Sequence, residues 1–203
     1  MAEIANKAMN KDVFQKELLQ GEKILWVGQP DPSVRFAKAD AFLIPFSILW
    51  GGFALFWEGA ALTAVGASKD PAALIFPLFG IPFVIIGLYF IFGRFWYKAK
   101  KKKSTYYAVT DKRVLVLSDF FSRHFEAAFI NSIPVINKSV KTSGTGTIIF
   151  GNTNFFATMY GNTGMDFFAS YYGVSAPVFY DIKDVESVYQ QVNNLRNNQS
   201  PDS

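Results

Sequence analysis

Few side chains in this chain have the types and the spacing that enzyme chemistry requires. The chain has no cysteine, which excludes a cysteine nucleophile, a thiolate zinc site and a disulfide framework. Its one histidine, His124, lies two residues before Glu126, so on a strand both side chains point to the same face. We interpret them as a surface pair rather than a catalytic dyad, because the sequence offers no triad context.

The sequence also lacks a phosphate-binding loop and a serine nucleophile motif. Gly144-Thr145-Gly146 has neither the following helix nor the Lys-Ser/Thr pair that a phosphate-cradling loop uses. Ser132 and Ser143 lack the G-x-S-x-G setting of a nucleophile elbow. The sequence therefore predicts that this is not an enzyme, with no catalytic, cofactor-binding or metal-binding residues.

Two long apolar stretches dominate the composition. Half of the residues are hydrophobic and 18% are charged, whereas about a quarter are charged in soluble domains. Residues 41–57 carry no charge, Glu58 interrupts, and residues 71–93 again carry none. Because about 20 apolar residues cross a bilayer, we predict transmembrane helices near residues 41–64 and 71–94. The alternative is a pair of buried core helices, which a soluble chain of this size would struggle to cover.

Basic residues predict how these helices are oriented. The connection between the helices has one basic residue, Lys69, whereas eight basic residues and one acidic residue occupy positions 94–113. Lys and Arg accumulate on the cytoplasmic side, so both termini are predicted to be cytoplasmic. Glu58 is predicted to lie at the interface or to face a partner.

The lysine run after the second stretch has two compatible interpretations. It anchors the topology, or it attracts anionic lipid headgroups at about 1 kcal/mol per lysine. A nucleic-acid partner is not predicted, because no recognition motif accompanies the run. The candidate lipid-surface residues are Lys98, Lys100, Lys101, Lys102 and Lys103.

The pattern then changes to β-formers with period two. Residues 105–110 and 113–118 read as a hairpin around the turn Asp111-Lys112. Further strands are predicted at residues 124–130, 135–142, 145–150 and 177–180. Asp181 is predicted to cap an amphipathic helix, and the whole describes a small barrel or curved sheet closed by that helix.

The order of these features resembles the membrane-anchored bacterial PH-like domain proteins, which share the pleckstrin-homology fold. The pieces that carry the resemblance are residues 21–30 (GEKILWVGQP), 106–114 (YYAVTDKRV), 144–148 (GTGTI) and 179–189 (FYDIKDVESVY). The resemblance implies a fold and a bacterial inner-membrane address, and it implies no catalytic residues.

The expected fold is therefore an α+β membrane protein with a two-helix transmembrane hairpin inserted before a PH-like antiparallel β-barrel or sheet, closed by a C-terminal helix. Residues 1–40 are expected to pack on the PH-like domain, residues 41–97 to form the hairpin, and residues 98–203 to form the cytoplasmic domain. Such a multi-pass protein would be an interaction module that binds protein or anionic lipid, without a cofactor. The alternative is an accessory subunit of a larger membrane enzyme or transport complex.

An aromatic repeat interrupts the last strands. The pattern GNT…FFA(T/S).Y occurs twice within residues 151–172. Either it folds back on its own sheet as a loop, or it forms a contact surface for the lipid interface or for another membrane protein, including a second copy. The candidate partner-contact residues are Phe155, Phe156, Tyr160, Phe167, Phe168 and Tyr171.

Overall fold

A computed structural model describes residues 12–33, 36–37, 39–68, 70–153, 160–166 and 176–199. The chain divides into two compact units. The helical unit consists of Phe36–Lys98 and Asn162–Met165, and the β unit consists of Met1–Arg35, Ala99–Gly161 and Asp166–Ser203. The structure confirms the α+β class, with two apolar helical stretches and antiparallel sheets.

Two long helical stretches follow one another along the chain. Helix α1 is Asp40–Ala67, and the second stretch comprises a 3-10 turn at Pro71–Leu74, α2 at Ile75–Leu88, a π-helical turn at Tyr89–Gly93 and α3 at Arg94–Lys103. Asp70 caps the N-terminus of the second stretch, because its carboxylate accepts a hydrogen bond from Ala72 N at 2.9 Å. Both stretches, of 28 and 33 residues, are long and apolar enough to cross a membrane.

The described strands of the β unit form two antiparallel sheets. The strands are β1 Ile24–Gly28, β2 Thr105–Thr110, β3 Arg113–Asp119, β4 Arg123–Phe129, β5 Ile136–Val140, β6 Gly146–Phe150 and β7 Val178–Ile182. The first sheet has the order β1–β2–β3–β4, and the second has the order β5–β6–β7. Helix α4, Val185–Gln199, follows the last strand.

The sequence suggested a barrel or a curved sheet, and the described strands do not close into a barrel. They remain two separate sheets, and a 3-10 turn at Ile130–Ser132 separates β4 from β5. Pro134 follows this turn. Because proline has no N–H to donate to a strand ladder, the chain leaves the first sheet after β4 and enters the second sheet at β5.

Strand alternation gives the first sheet two apolar faces. Tyr107 and Val109 point into a cluster shared with the second sheet and α4, where Phe179 and Val188 are fully buried. Ala108, between them, points to the opposite face. There a second cluster contains Phe14, Val27, Ala108, Leu115 and Leu117.

Asp181 is not the cap of the last helix, which corrects the prediction. It lies within β7, and α4 begins four residues later at Val185. The backbone of Asp181 has φ of 51°, a left-handed conformation that Asp tolerates better than most residues. Its carboxylate is fully buried and engaged by lysines.

Candidate functional site

Glycines bring the two helical stretches of the helical unit close together. A Cβ added at Gly87 would lie 3.0 Å from the Cα of Gly51, and a Cβ added at Gly51 would lie 2.6 Å from Ile91 Cδ1. Small residues allow this kind of close approach between membrane helices. At Gly52 and Gly59, an added Cβ would meet no described atom within 4 Å. The glycines of α1 therefore divide between an inner and an outer face.

The outer face of the helical unit exposes large apolar side chains. Leu49, Phe56 and Phe92 are 73%, 74% and 69% exposed. In the most apolar 18 residues of each stretch, only 28% and 17% of the segment is buried, whereas core helices of soluble proteins are mostly buried. Water solvates such a surface poorly, and hydrocarbon solvates it well.

Glu58 faces the second helix of its own hairpin. A Cβ added at Gly80 would lie 2.0 Å from Glu58 Oε2, so the glycine makes room for the carboxyl group. That oxygen is buried and has no hydrogen-bond partner among the described residues. The structure thus places Oε2 of Glu58 between two helices of the chain, while the residue as a whole is half-buried.

A buried ion pair joins the first residue of α1 to the first residue of α3. Arg94 Nη1 donates to Asp40 Oδ1, and Arg94 Nε donates to Phe90 O at 2.8 Å. Both side chains are almost completely buried. Tyr89 Oη adds a hydrogen bond of 2.5 Å to Gly164 O within the same unit. Sequence reasoning treated Arg94 only as a topology charge, although Asp40 and Arg94 flank the two apolar stretches.

The lysine run is not uniform, which corrects the predicted lipid-contact set. Lys98 and Lys102 are 3% and 4% exposed, so their side chains are not available to headgroups. Lys101 is half-buried, and its Nζ lies 3.1 Å from Asp166 Oδ2. Lys100 and Lys103 are exposed. The headgroup-contact prediction therefore applies chiefly to Lys100 and Lys103, and for these two it stays a prediction.

Lys102 belongs to a charge cluster inside the β unit. Its Nζ donates to Asp181 Oδ2 at 2.7 Å and to Asp31 O at 3.1 Å. Lys141 Nζ donates to the other Asp181 oxygen at 2.7 Å. Two ammonium groups thus neutralise one buried carboxylate, as a buried charge requires. The cluster joins the last turn of α3 to β7 and explains why Asp181 is not a helix cap.

Two of the sequence pieces that carry the PH-like resemblance bind each other. The carboxylate of Glu22 accepts hydrogen bonds from Arg113 Nε at 2.9 Å, Arg113 Nη2 at 2.6 Å and Thr110 Oγ1 at 2.7 Å. Burial opposes ionisation, but these bonds and one from Leu19 N outweigh it and lower the pKa of Glu22 to about 2. The contact fastens the segment before β1 to the β2–β3 turn.

His124 and Glu126 form the exposed pair that the sequence predicts, with His124 Nε2 2.9 Å from Glu126 Oε1. Neither side chain is enclosed, and general acid–base catalysis usually depends on a partly desolvated site. Within the described part of the chain, no three His, Cys, Asp or Glu side chains are grouped so as to hold a metal ion.

Most of the aromatic repeat lies outside the described residues. These are Phe155, Phe156, Phe167, Phe168 and Tyr171, so the predicted contact surface stays a prediction. Tyr160 is described and is half-buried. The second copy of the repeat contributes Asn162–Met165 to the helical unit, where an added Cβ at Gly164 would lie 2.2 Å from Arg94 O. Only glycine fits there, because its φ is also +84°.

Comparison of the chain with family models, curated proteins and solved structures found no match to any of the three.

Proposed function

We propose that this chain is a membrane-anchored, non-enzymatic interaction module. The two-helix hairpin crosses the bacterial inner membrane twice and leaves both termini in the cytoplasm. The β unit, which we relate to the PH-like fold, is presented at the cytoplasmic face and binds protein or anionic lipid. The observation that carries the proposal is the outer apolar face of the helical unit, whose large side chains are exposed.

The helical unit supports a membrane anchor through the distribution of its polar groups. Asp40 and Arg94 pair at the ends of the apolar stretches, and Glu58 turns inward to Gly80. In a bilayer, ionisable side chains face the interior of a bundle rather than lipid. The outer face, with Leu49 and Phe56, has the composition that lipid requires.

The β unit supports an interaction role through its two sheets and closing helix, a scaffold in which the described charges are largely paired with each other. Among the described residues, Glu22 with Arg113 and Asp181 with two lysines form ion pairs that hold the scaffold together. Lys100 and Lys103 remain exposed on the last turn of α3. We propose that these two lysines contact anionic headgroups.

Fractionation of cells that express the full chain tests the proposal. We expect the protein in the membrane fraction, resistant to alkaline carbonate, and we expect crosslinking in mild detergent to capture a protein or an anionic lipid on the β unit. Recovery of the chain as a soluble protein would overturn the anchor. Resistance to carbonate without any captured protein or lipid would overturn the interaction role.

A second candidate is an accessory subunit of a larger membrane complex. The outward position of Gly52 and Gly59 favours it, because glycines with open space above them allow another helix to approach closely. The two candidates differ in where the partner is crosslinked. A photo-crosslinker at Gly59 that captures a membrane protein supports the accessory subunit, and capture only through the β unit supports the module.

A further inference from the structure

The hairpin between β3 and β4 ends in two phenylalanines. Phe121 is 83% exposed, and its ring centre lies 4.3 Å from that of Phe120. Tight turns favour Gly, Pro, Asn, Asp and Ser, and an exposed aromatic ring is poorly solvated by water. The β2–β3 turn of the same sheet uses Asp111 and Lys112 instead. The fold therefore does not require aromatic residues at a hairpin tip.

Strand register places this tip at the end of the sheet where the chain leaves α3. Strand β2 begins at Thr105, directly after Ser104, and Thr105 pairs with Ser118 on β3. Asp119 N donates to Ser104 O at 2.9 Å, and residues 120–122 follow directly. The β2–β3 turn lies at the opposite end of β3, about 20 Å away along a strand of this length.

Helix α3 carries aromatic residues and then lysines before it reaches Ser104. Trp96 is 64% exposed, and Tyr97 follows it, which is the composition of an interfacial aromatic belt. The β unit resumes at Ala99, so Lys100 and Lys103 belong to the same unit as the tip, and Lys103 directly precedes Ser104.

The charges on this turn of α3 match an anionic surface. Lys100 and Lys103 are exposed on the last turn of α3, immediately before Ser104. An apolar aromatic tip combined with lysines is the pattern by which peripheral segments bind anionic bilayers, since burial of the rings and attraction of the charges add.

We propose that Phe120 and Phe121 form a membrane-contact tip that inserts into the headgroup layer of an anionic bilayer. The inference rests on the proposed function, because it requires the helical hairpin to lie in that bilayer. The tip then acts with Lys100 and Lys103 as a second attachment of the β unit, independent of the covalent link through α3.

The absence of native cysteine allows a direct test in the full chain. Phe121→Cys is labelled with an environment-sensitive fluorophore and reconstituted in liposomes of phosphatidylglycerol and phosphatidylcholine. Lys112→Cys, in the exposed turn at the opposite end of β3, is the matched control. We expect a blue-shifted emission at position 121 and quenching by spin-labelled lipid several-fold stronger than at position 112.

The other outcomes separate the inference from the proposed function. Equal and weak lipid quenching at both positions, in a chain that resists carbonate, would overturn the membrane-contact tip and leave the anchor intact. A shielded probe that lipid does not quench, and whose shielding rises with the protein-to-lipid ratio, would overturn it in favour of a protein contact. A chain that does not stay in the liposomes would overturn both.

Discussion

Glu22 is buried beside the guanidinium of Arg113, and its pKa of about 2 compares with an ordinary value of 4.5. Because the folded-state pKa is the lower one, the ionised carboxylate stabilises the fold above about pH 4.5. This stabilisation is lost as the pH falls towards 2. A difference of this size corresponds to about 3 kcal/mol.

We therefore expect Glu22→Gln to remove most of the acid sensitivity of the β2–β3 region. The wild-type chain should lose amide protection in β2 and β3 between about pH 4.5 and pH 2, and the variant should be weakly protected throughout. Hydrogen–deuterium exchange of both chains at each pH measures the difference. A wild-type chain whose protection relative to the variant does not change with pH would contradict the role of Glu22.

Two neighbouring lysines provide a second prediction at this scale. Lys102→Gln removes one of the two ammonium groups on the buried carboxylate of Asp181, and breaking such a pair costs about 3 kcal/mol. Lys103→Gln changes an exposed side chain and should alter stability by less than about 0.5 kcal/mol. Thermal unfolding in the same detergent compares the variants, and equal melting temperatures would contradict the assignment.

The difference among the lysines was partly predictable. Lys98 and Lys102 are four residues apart, so on a helix they lie on the same face, and Lys100 does not share it. The sequence could not show that Asp181 would lie opposite that face. Asp181 lies where the pairing of β6 with β7 shifts register, at a left-handed backbone position inside the strand, whereas Asp before an apolar run more often caps a helix.

At the scale of elements, Gly51 and Gly52 are neighbours with opposite environments. A side chain at Gly51 would collide with Ile91, whereas one at Gly52 would enter open space among the described atoms. We expect Gly51→Leu to separate the two helical stretches and to lower the melting temperature in detergent by several degrees. Gly52→Leu is the matched control and should melt near the wild type. A larger effect of Gly52→Leu would contradict the packing.

Element types followed from the sequence better than their assembly. Strand periodicity predicted β2 and β3 with their two-residue turn, because alternation and turn chemistry are local properties. The sequence predicted β4 and β5 as separate strands but not that they belong to different sheets, since this depends on a 3-10 turn and on Pro134 at a point where the first sheet could have continued. The π-helical turn at Tyr89–Gly93 left no periodic signal in a stretch that is apolar on all sides.

At the scale of the whole molecule, the proposed membrane anchor rests on the exposed apolar surface of the helical unit. A soluble protein rarely exposes contiguous apolar patches larger than a few hundred Å². Length and composition predicted the two stretches, but burial distinguishes a membrane hairpin from core helices, and burial is a property of the folded chain. The aromatic repeat lies mostly outside the described residues, and its contact surface stays a prediction.

Cysteine accessibility in intact cells tests the central claim most directly. Ala67 is the exposed last residue of α1, next to the connection between the two stretches, and Lys112 lies in the β unit. Each is replaced by cysteine in a separate variant. A membrane-impermeant maleimide, applied to cells whose inner membrane is intact, should label position 67 at once and position 112 only after permeabilisation. Labelling of both positions only after permeabilisation, with the chain extracted by carbonate, would contradict the membrane-anchored account.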